Sequence, residues 1–356
     1  MNTALVCDIP PKTNNPRNSE GAFLRAPNGD ILFAYSQYSG NDWNDHCACD
    51  IVLVRSRDEG RTWSEAPESV ATAAFFGTRN IMSVSAMTQQ DGTLAFYFLI
   101  KENDGSTTLG RSLSKDGTRF TPERTLWHAP CAYYVVNNDR LVRLADGRIV
   151  APAASYSAYE NLHGMRYSPA MTVLLVSEDD GHSFSLLPGA RLTMSAKVNL
   201  NHGLQEPGII ELSPGEAWVW MRTGASYQYE SRSFDNLVTF TLPEPSGFTS
   251  PDSPMQIKRL SDGSLAAVYN PVPNYNGKAC TPWGWGRTPI VLRRSRDNGR
   301  TWGPLLTIEG EDRGYCYPAL FETKDGYLLC AYCRGGEEDR ACLCRLGISR
   351  IEIASI

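Results

Sequence analysis

The sequence predicts an all-β fold, a six-bladed β-propeller of four-stranded antiparallel blades, with residues 1–356 forming one domain. Three observations predict it. A turn dipeptide followed by an apolar run recurs six times, a Ser-x-Asp-x-Gly-x-Thr-Trp pattern follows five of those turns, and helical periodicity is weak throughout. Self-similarity at a period of tens of residues is the mark of stacked supersecondary units, each unable to bury its apolar face alone. Length by itself, at about 150 residues per domain, would give two domains. Stacked blades share a continuous core and need no boundary.

The turns come first in each unit. They are Asn28-Gly29, Asp91-Gly92, Asp146-Gly147, Pro214-Gly215, Asp262-Gly263 and Asp325-Gly326. Asn-Gly and Asp-Gly between apolar runs signal a tight hairpin, with both turn residues expected at positive φ. The glycines fall 63, 55, 68, 48 and 63 residues apart, which suits six sheets of four strands. Gly 30 and Pro 22 together agree with a chain rich in turns.

The second pattern reads Ser56-Arg-Asp58-Glu-Gly60-Arg-Thr62-Trp63, Ser177-Glu-Asp179-Asp-Gly181-His-Ser183-Phe184 and Ser295-Arg-Asp297-Asn-Gly299-Arg-Thr301-Trp302. Two copies are altered. Ser114-Lys-Asp116-Gly117-Thr-Arg-Phe120 is one residue short, and Ser233-Phe-Asp235-Asn-Leu-Val-Thr239-Phe240 lacks the glycine. Ser and Asp side chains can bond the turn backbone, Gly takes the left-handed position, and the aromatic anchors the loop on the sheet. These aspartates are therefore structural. Apolar runs such as Ile51-Val-Leu-Val, Met171-Thr-Val-Leu-Leu-Val and Ile290-Val-Leu precede the boxes as strands. The last strand, near Leu346–Ile353, or the segment near residues 1–15 is expected to close the ring.

Composition narrows the function. With 34 Lys+Arg against 39 Asp+Glu, a net charge of −5 and no basic run, a nucleic-acid partner is not expected. No apolar stretch reaches the roughly 18–20 residues of a membrane span, so no membrane partner is expected. The start, Met1-Asn-Thr-Ala-Leu-Val-Cys-Asp, has neither a basic n-region nor an apolar h-region. Cytoplasmic localisation and ten free cysteines are the corresponding expectations. Cys330-x-x-Cys333 and Cys342-x-Cys344 read as buried thiols, the second pair on one face of a strand, rather than as a metal site. No metal and no cofactor are expected.

The Ser-x-Asp-x-Gly-x-Thr-Trp boxes resemble the Asp-box (BNR) repeats of the sialidase (neuraminidase) superfamily, and they run from the first blade to the fifth. The resemblance implies a set of site residues in chain order: an arginine near the first strand, an Asp in the next loop, a mid-chain Glu, two further arginines and a late Tyr. Arg17 lies in Asn-Pro-Arg17-Asn-Ser, without the family's Phe/Tyr-Arg-Ile-Pro motif. The next loop, Asn41-Asp42-Trp-Asn-Asp45-His46, carries the Asp; Asp45 is preferred and Asp42 comes second. Glu206 precedes Pro-Gly-Ile-Ile-Glu-Leu, Arg222 ends Val-Trp-Met-Arg222, and Arg287 precedes Thr-Pro-Ile. Tyr317 lies in Tyr317-Pro-Ala-Leu, similar to the family's Tyr-Ser-x-Leu; Tyr315 is the alternative. His46, Arg79 and Asn138 are further candidates for the substrate pocket, as is the Tyr133-Tyr134 segment.

The chemistry of these types is coherent. The resemblance implies that Arg17, Arg222 and Arg287 hold a sugar carboxylate, that Asp45 is the acid/base, and that Tyr317 is a nucleophile activated by Glu206. Guanidinium binds carboxylate through paired hydrogen bonds and stays charged. A carboxylate nucleophile would be repelled by an anionic sugar, whereas a neutral Tyr with a Glu base is not. Asp45 needs a raised pKa to donate a proton. The expected function is exo-acting hydrolysis of a terminal acidic sugar, sialic acid foremost, with retention and with a carbohydrate as partner. The alternatives are a hydrolase for a uronic acid or deoxysugar, and a non-catalytic glycan-binding propeller.

Overall fold

The computed structural model describes residues 3–156, 169–194, 202–272 and 281–356, and the backbone of 159–160 and 166–167. Among these residues the strands form six antiparallel blades arranged as a β-propeller. The first blade holds Asn18–Arg25, Ile31–Tyr38, Cys49–Ser56 and Glu68–Ala71, and the second Ile81–Thr88, Leu94–Asn103, Ser106–Ser114 and Thr121–Arg124. In the third the inner strand is split into Tyr133–Val135 and Val142–Arg143, followed by Ile149–Tyr156, Met171–Ser177 and Ser183–Leu192. The fourth holds Gln205–Ser213, Glu216–Arg222, Tyr227–Ser233 and Glu244–Thr249, and the fifth Gln256–Arg259, Leu265–Tyr269, Ile290–Ser295 and Leu306–Glu309. The sixth is built from Cys316–Glu322, Tyr327–Cys333 and Leu346–Glu352, and its outer strand is Thr3–Ile9. Both expected closing segments thus take part: Thr3 pairs with Ile351 and Ile9 with Leu346.

An apolar cluster fills each junction between neighbouring blades. Leu53 of the first blade packs in one cluster with Phe96 of the second, and Val219 of the fourth with Leu174 of the third. Phe33 of the first blade and Leu329 of the sixth share another, which carries the core across the closure. Alternation along each strand supplies one apolar face to each neighbour.

The boxes act as expected, and they also join blades. In the first, Asp58 Oδ1 accepts from the Thr62 amide at 2.9 Å, Asp58 Oδ2 from the Thr62 hydroxyl at 2.7 Å, and Ser56 Oγ from the Gly60 amide at 2.8 Å. The same bonds recur at Ser177–Asp179–Ser183 and Ser295–Asp297–Thr301. Gly181 has φ 80°, and a Cβ there would sit 1.9 Å from the Tyr97 hydroxyl of the preceding blade. The copy without glycine places Leu237 at φ 70° and keeps the amide bond to Ser233 Oγ at 2.9 Å. Here the buried leucine side chain joins the core between third and fourth blades, which offsets its backbone strain.

Two local expectations are corrected. In the turn dipeptides only the glycine has positive φ, from 82° to 95°, while Asn28 and the Asp residues do not. Five of the six glycines close a turn of the type Gly29 amide to Ala26 carbonyl, 2.9 Å, in the left-handed place of a bulged three-residue hairpin, while the Gly215 amide donates to Glu211 Oε1 at 3.2 Å. Asp precedes it for its side chain: Asp91 Oδ1 accepts from the Thr93 amide at 2.9 Å and Asp146 Oδ1 from Arg148 at 3.0 Å. Cys342 and Cys344 lie in a turn rather than on a strand, where the Cys344 amide donates to Ala341 O at 3.1 Å. The described cysteines are all free; Cys280 lies outside the described residues.

The box aspartates set an acid limit on stability. Hydrogen bonds from the Thr301 side chain and amide hold the Asp297 carboxyl down at about 2. A depressed folded pKa stabilises above the unfolded value near ~3.9, and that contribution is lost as pH falls through the folded value. Thermal melting of Asp297→Asn against the parent is expected to show a deficit at pH 6 that shrinks steadily between about pH 4 and pH 2. A pH-independent deficit would remove the carboxylate from the account.

Candidate active site

The innermost strands of four blades begin with the same device. The pairing of each with its neighbour slips by a bulge, between Ser19 and Ala22, Met82 and Ser85, Gln205 and Gly208, and Cys316 and Ala319. At each bulge a non-glycine residue takes a left-handed backbone: Glu20 at φ 57°, Ser83 at 60°, Glu206 at 38° and Tyr317 at 55°. In the third blade Asp139, between the two inner segments, does so at 54°. Bulges bend a strand and re-aim side chains, and strained backbone of this kind collects at functional sites. Glu20, Ser83, Glu206 and Tyr317 all line one cavity of about 670 Å³, to which Tyr133 of the third blade and Arg287 of the fifth also contribute.

Two of the sequence-derived catalytic candidates meet there. Tyr317 Oη donates to Glu206 Oε1 at 3.0 Å, although 111 residues separate them. Arg222 Nη1 donates to Glu206 Oε2 at 2.7 Å, and Arg222 Nε to Asp252 Oδ1 at 2.6 Å. Asp252 also faces His202 Nδ1 at 2.8 Å and accepts from Gln205 at 3.2 Å, so it orients the arginine. Against the desolvation of its place, the charge and hydrogen bond of Arg222 hold the Asp252 carboxyl down at about 2. Burial and the Glu206 charge push the Tyr317 phenol well above its usual range, so it keeps its proton in the free site. Its backbone carbonyl accepts from Asn138 Nδ2 at 3.2 Å, and the same amide donates to Gly21 O at 3.0 Å. Asn138 is thus a buried brace between first and sixth blades under the cavity.

Arg287 differs from the other arginines. It is 5% exposed, and among the described residues it makes no ion pair. Its Nε donates to Asp252 O at 3.1 Å, its Nη1 faces Cys342 Sγ at 3.9 Å, and its guanidinium lies 5.0 Å from the centre of the Trp285 ring. Arg222 and Arg287 line the cavity together, closely enough for each charge to be felt by the other. A buried charge without a counter-ion is costly, and of the two only Arg287 lacks a carboxylate partner among the described residues.

Arg17 does not join them. It lies outside the cavity lining, 1% exposed, stacked 4.3 Å from the Tyr38 ring. Its Nη1 donates to Asp45 Oδ1 at 2.6 Å, its Nε to Ser19 Oγ at 2.8 Å, and its Nη2 stands 3.5 Å from Glu20 Oε1 without a hydrogen-bond partner. Asp45 is at the cavity mouth with its side chain 55% exposed. Against desolvation, Arg17 holds the Asp45 carboxyl below the usual range, the opposite of what a proton donor needs. Its carbonyl is capped by Lys101 and by Asn80, the latter at 3.1 Å.

Of the remaining candidates, His46 lines the cavity rim and pairs with Asp104 at 3.6 Å. Asp42 stays outside: it is exposed and accepts from the Trp43 amide at 2.7 Å. Arg79 lines a neighbouring depression with Lys101 and Asp104. Tyr315 is wholly buried and packs on Tyr332, whereas Tyr317 lines the cavity. Sequence reading passed over Glu20, Asp252, Trp43 and Trp285. A Glu just before the Gly-Ala-Phe-Leu strand was the visible signal for Glu20, at the position in its blade that Glu206 holds in the fourth.

If Arg17 is a structural counter-ion, its loss must cost stability. Breaking a fully buried pair typically costs about 3–5 kcal/mol, and the half-exposed Asp45 carboxylate reduces that figure here. Arg17→Met is expected to lose about 1–3 kcal/mol in denaturant unfolding; a loss below about 0.5 kcal/mol would mean the pair is dispensable.

Comparison with known proteins agrees with this architecture. Residues 79–330 match the family model described as a BNR repeat-like domain. No curated protein matches the sequence. The Hadza microbial sialidase Hz136 superposes with a TM-score of 0.73 at 15% identity, over 96% of this chain and 67% of that one. A protein of unknown function from Dyadobacter fermentans DSM 18053 gives 0.70 at 18% identity, covering 99% of this chain and 100% of the other. The intramolecular trans-sialidase from Ruminococcus gnavus, in complex with oseltamivir carboxylate, gives 0.69 at 12%, covering 96% of both. At such identities the likeness shows a shared fold.

Proposed function

The chain belongs to the BNR repeat-like domain family, with the sialidase fold, and from that premise we propose that it is an exo-acting glycoside hydrolase. One observation carries the reading: the Tyr317 hydroxyl donating to Glu206 at 3.0 Å in a cavity that Arg222 and Arg287 also line.

The substrate is a terminal sugar bearing an anionic group, sialic acid being the reference case. The group would seat on Arg287, whose charge has no carboxylate partner among the described residues, and on Arg222. Seating it brings the anomeric carbon toward Tyr317. As the phenol oxygen attacks, its proton passes to Glu206 Oε1, and the C–O bond to the leaving group breaks with its electron pair on the leaving oxygen. The leaving oxygen takes up a proton; water then attacks the anomeric carbon and gives up a proton in its turn, the tyrosyl oxygen leaves and recovers its own proton from Glu206, and configuration is retained. Arg222 steadies Glu206 throughout, and Asp252 steadies Arg222.

The withdrawal of Arg17 favours a second reading of the sugar. With two arginines in the cavity instead of three, a uronic acid, or a deoxysugar that bears an acidic group, fits the same chemistry with a smaller anion clamp.

A panel of fluorogenic α-sialosides, uronides and deoxyglycosides tests both. Turnover of one class is expected, with Tyr317→Phe losing about 10³-fold or more in kcat/KM and keeping its melting temperature. Sialoside turnover selects the first reading and uronide or deoxyglycoside turnover the second. Glycan binding without turnover of any sugar would make the protein a binding propeller.

A further inference from the structure

We propose that Glu20 is the proton donor of this site and that Asp45 serves as the counter-ion of Arg17; the proposal rests on the hydrolase reading above. Glu20 is 4% exposed, lines the same cavity as Glu206 and Tyr317, and has the same left-handed backbone at the same kind of bulge. The ring therefore aims two carboxyls at one space. Glu206 is engaged by Tyr317 and by a strong ion pair to Arg222. Glu20 has a longer ion pair, to Arg17 Nη2 at 3.5 Å, and one hydrogen bond, from Ser83.

Burial and the nearby Asp45 and Glu206 carboxylates favour its carboxylic acid. Two neighbours act the other way: Ser83 Oγ donates to Oε2 at 3.2 Å, and Arg17 Nη2 stands 3.5 Å from Oε1 without a hydrogen bond. The Arg17 charge is already committed to Asp45 at 2.6 Å. The anions facing Glu20 are Asp45 from the first blade and Glu206 from the fourth; the cations are Arg17 and Lys101. The phenols of Tyr38, Tyr133 and Tyr317 and the thiols of Cys49 and Cys333 complete the ring of titratable neighbours. Burial raises the Glu20 carboxyl to about 7, with Asp45 and Glu206 adding to the effect and Arg17 opposing it. An acid with a pKa near the working pH is the efficient proton donor, while Asp45 is held ionised.

The step balances. The Glu20 proton moves to the glycosidic oxygen as the C–O bond breaks, and the leaving group departs as a neutral alcohol. In the second half the Glu20 carboxylate takes a proton from the attacking water and is restored.

The test uses a sugar that the parent protein turns over, presented on two leaving groups, an acidic phenol and an alkyl alcohol. Only the alcohol needs protonation. Glu20→Gln is expected to lose about 10²- to 10⁴-fold in kcat/KM on the alkyl glycoside and less than about tenfold on the aryl one. The basic limb of the alkyl pH profile, near pH 7 in the parent, should vanish. Ser83→Ala removes the hydrogen bond that favours the Glu20 carboxylate, and should move that limb to higher pH; it keeps the test open if Glu20→Gln does not fold. Equal losses on both leaving groups, or a leaving-group-dependent loss in Asp45→Asn instead, would overturn the assignment while leaving the hydrolase reading intact. A parent silent on every sugar of the panel overturns that reading, and Glu20's role with it.

Discussion

The site depends on one backbone constraint, repeated around the ring: the innermost strand of a blade bulges and holds a side-chain-bearing residue in the left-handed region. Each such residue costs on the order of 1–2 kcal/mol relative to ordinary strand geometry. The conformation persists because its neighbours over-determine it. The Asn138 amide ties Gly21 O to Tyr317 O, and Ser36 Oγ accepts from the Ser83 amide at 3.0 Å. Asp139 Oδ2 accepts from the Leu320 amide at 3.0 Å and Asp139 Oδ1 faces Lys258 Nζ at 3.2 Å. These bonds run between blades, so the strain is carried by the closed ring rather than by any one sheet.

Closure in turn relies on the parts far from the site. The apolar clusters sit at the blade junctions, and in four boxes a glycine lets the loop lie against the preceding blade without a Cβ between them. Strand Thr3–Ile9 joins the first and last thirds of the chain in one sheet. A propeller with a firm rim can hold its axis in a costly conformation, and that division of labour separates the structural aspartates of the boxes from the carboxyls of the cavity.

Charge is balanced locally in the cavity wall. Arg17 is answered by Asp45 at 2.6 Å and, farther off, by Glu20 at 3.5 Å, and Arg222 by Glu206 and Asp252 at 2.7 and 2.6 Å. Arg287 is left with a carbonyl, a thiol and two aromatic rings. The proposed seating of an anionic group rests on that imbalance at Arg287.

Much of this was legible in the residues. Turn dipeptides and boxes act through local hydrogen bonds, so their spacing alone determined the blade count, while the pairing that closes the ring came from the structure. Glu206, Arg222, Arg287 and Tyr317 stand at the ends of strands whose direction the boxes set, and all four reach the cavity. Only the tertiary structure decided which way the first blade faces its charges. Arg17 and Glu20 are three residues apart, and nothing in their spacing says that the arginine is drawn aside to Asp45 while the glutamate is turned inward. That choice rests on a bulge and on a partner 28 residues away, and a bulge overrides the alternation from which side-chain direction is read in a sequence.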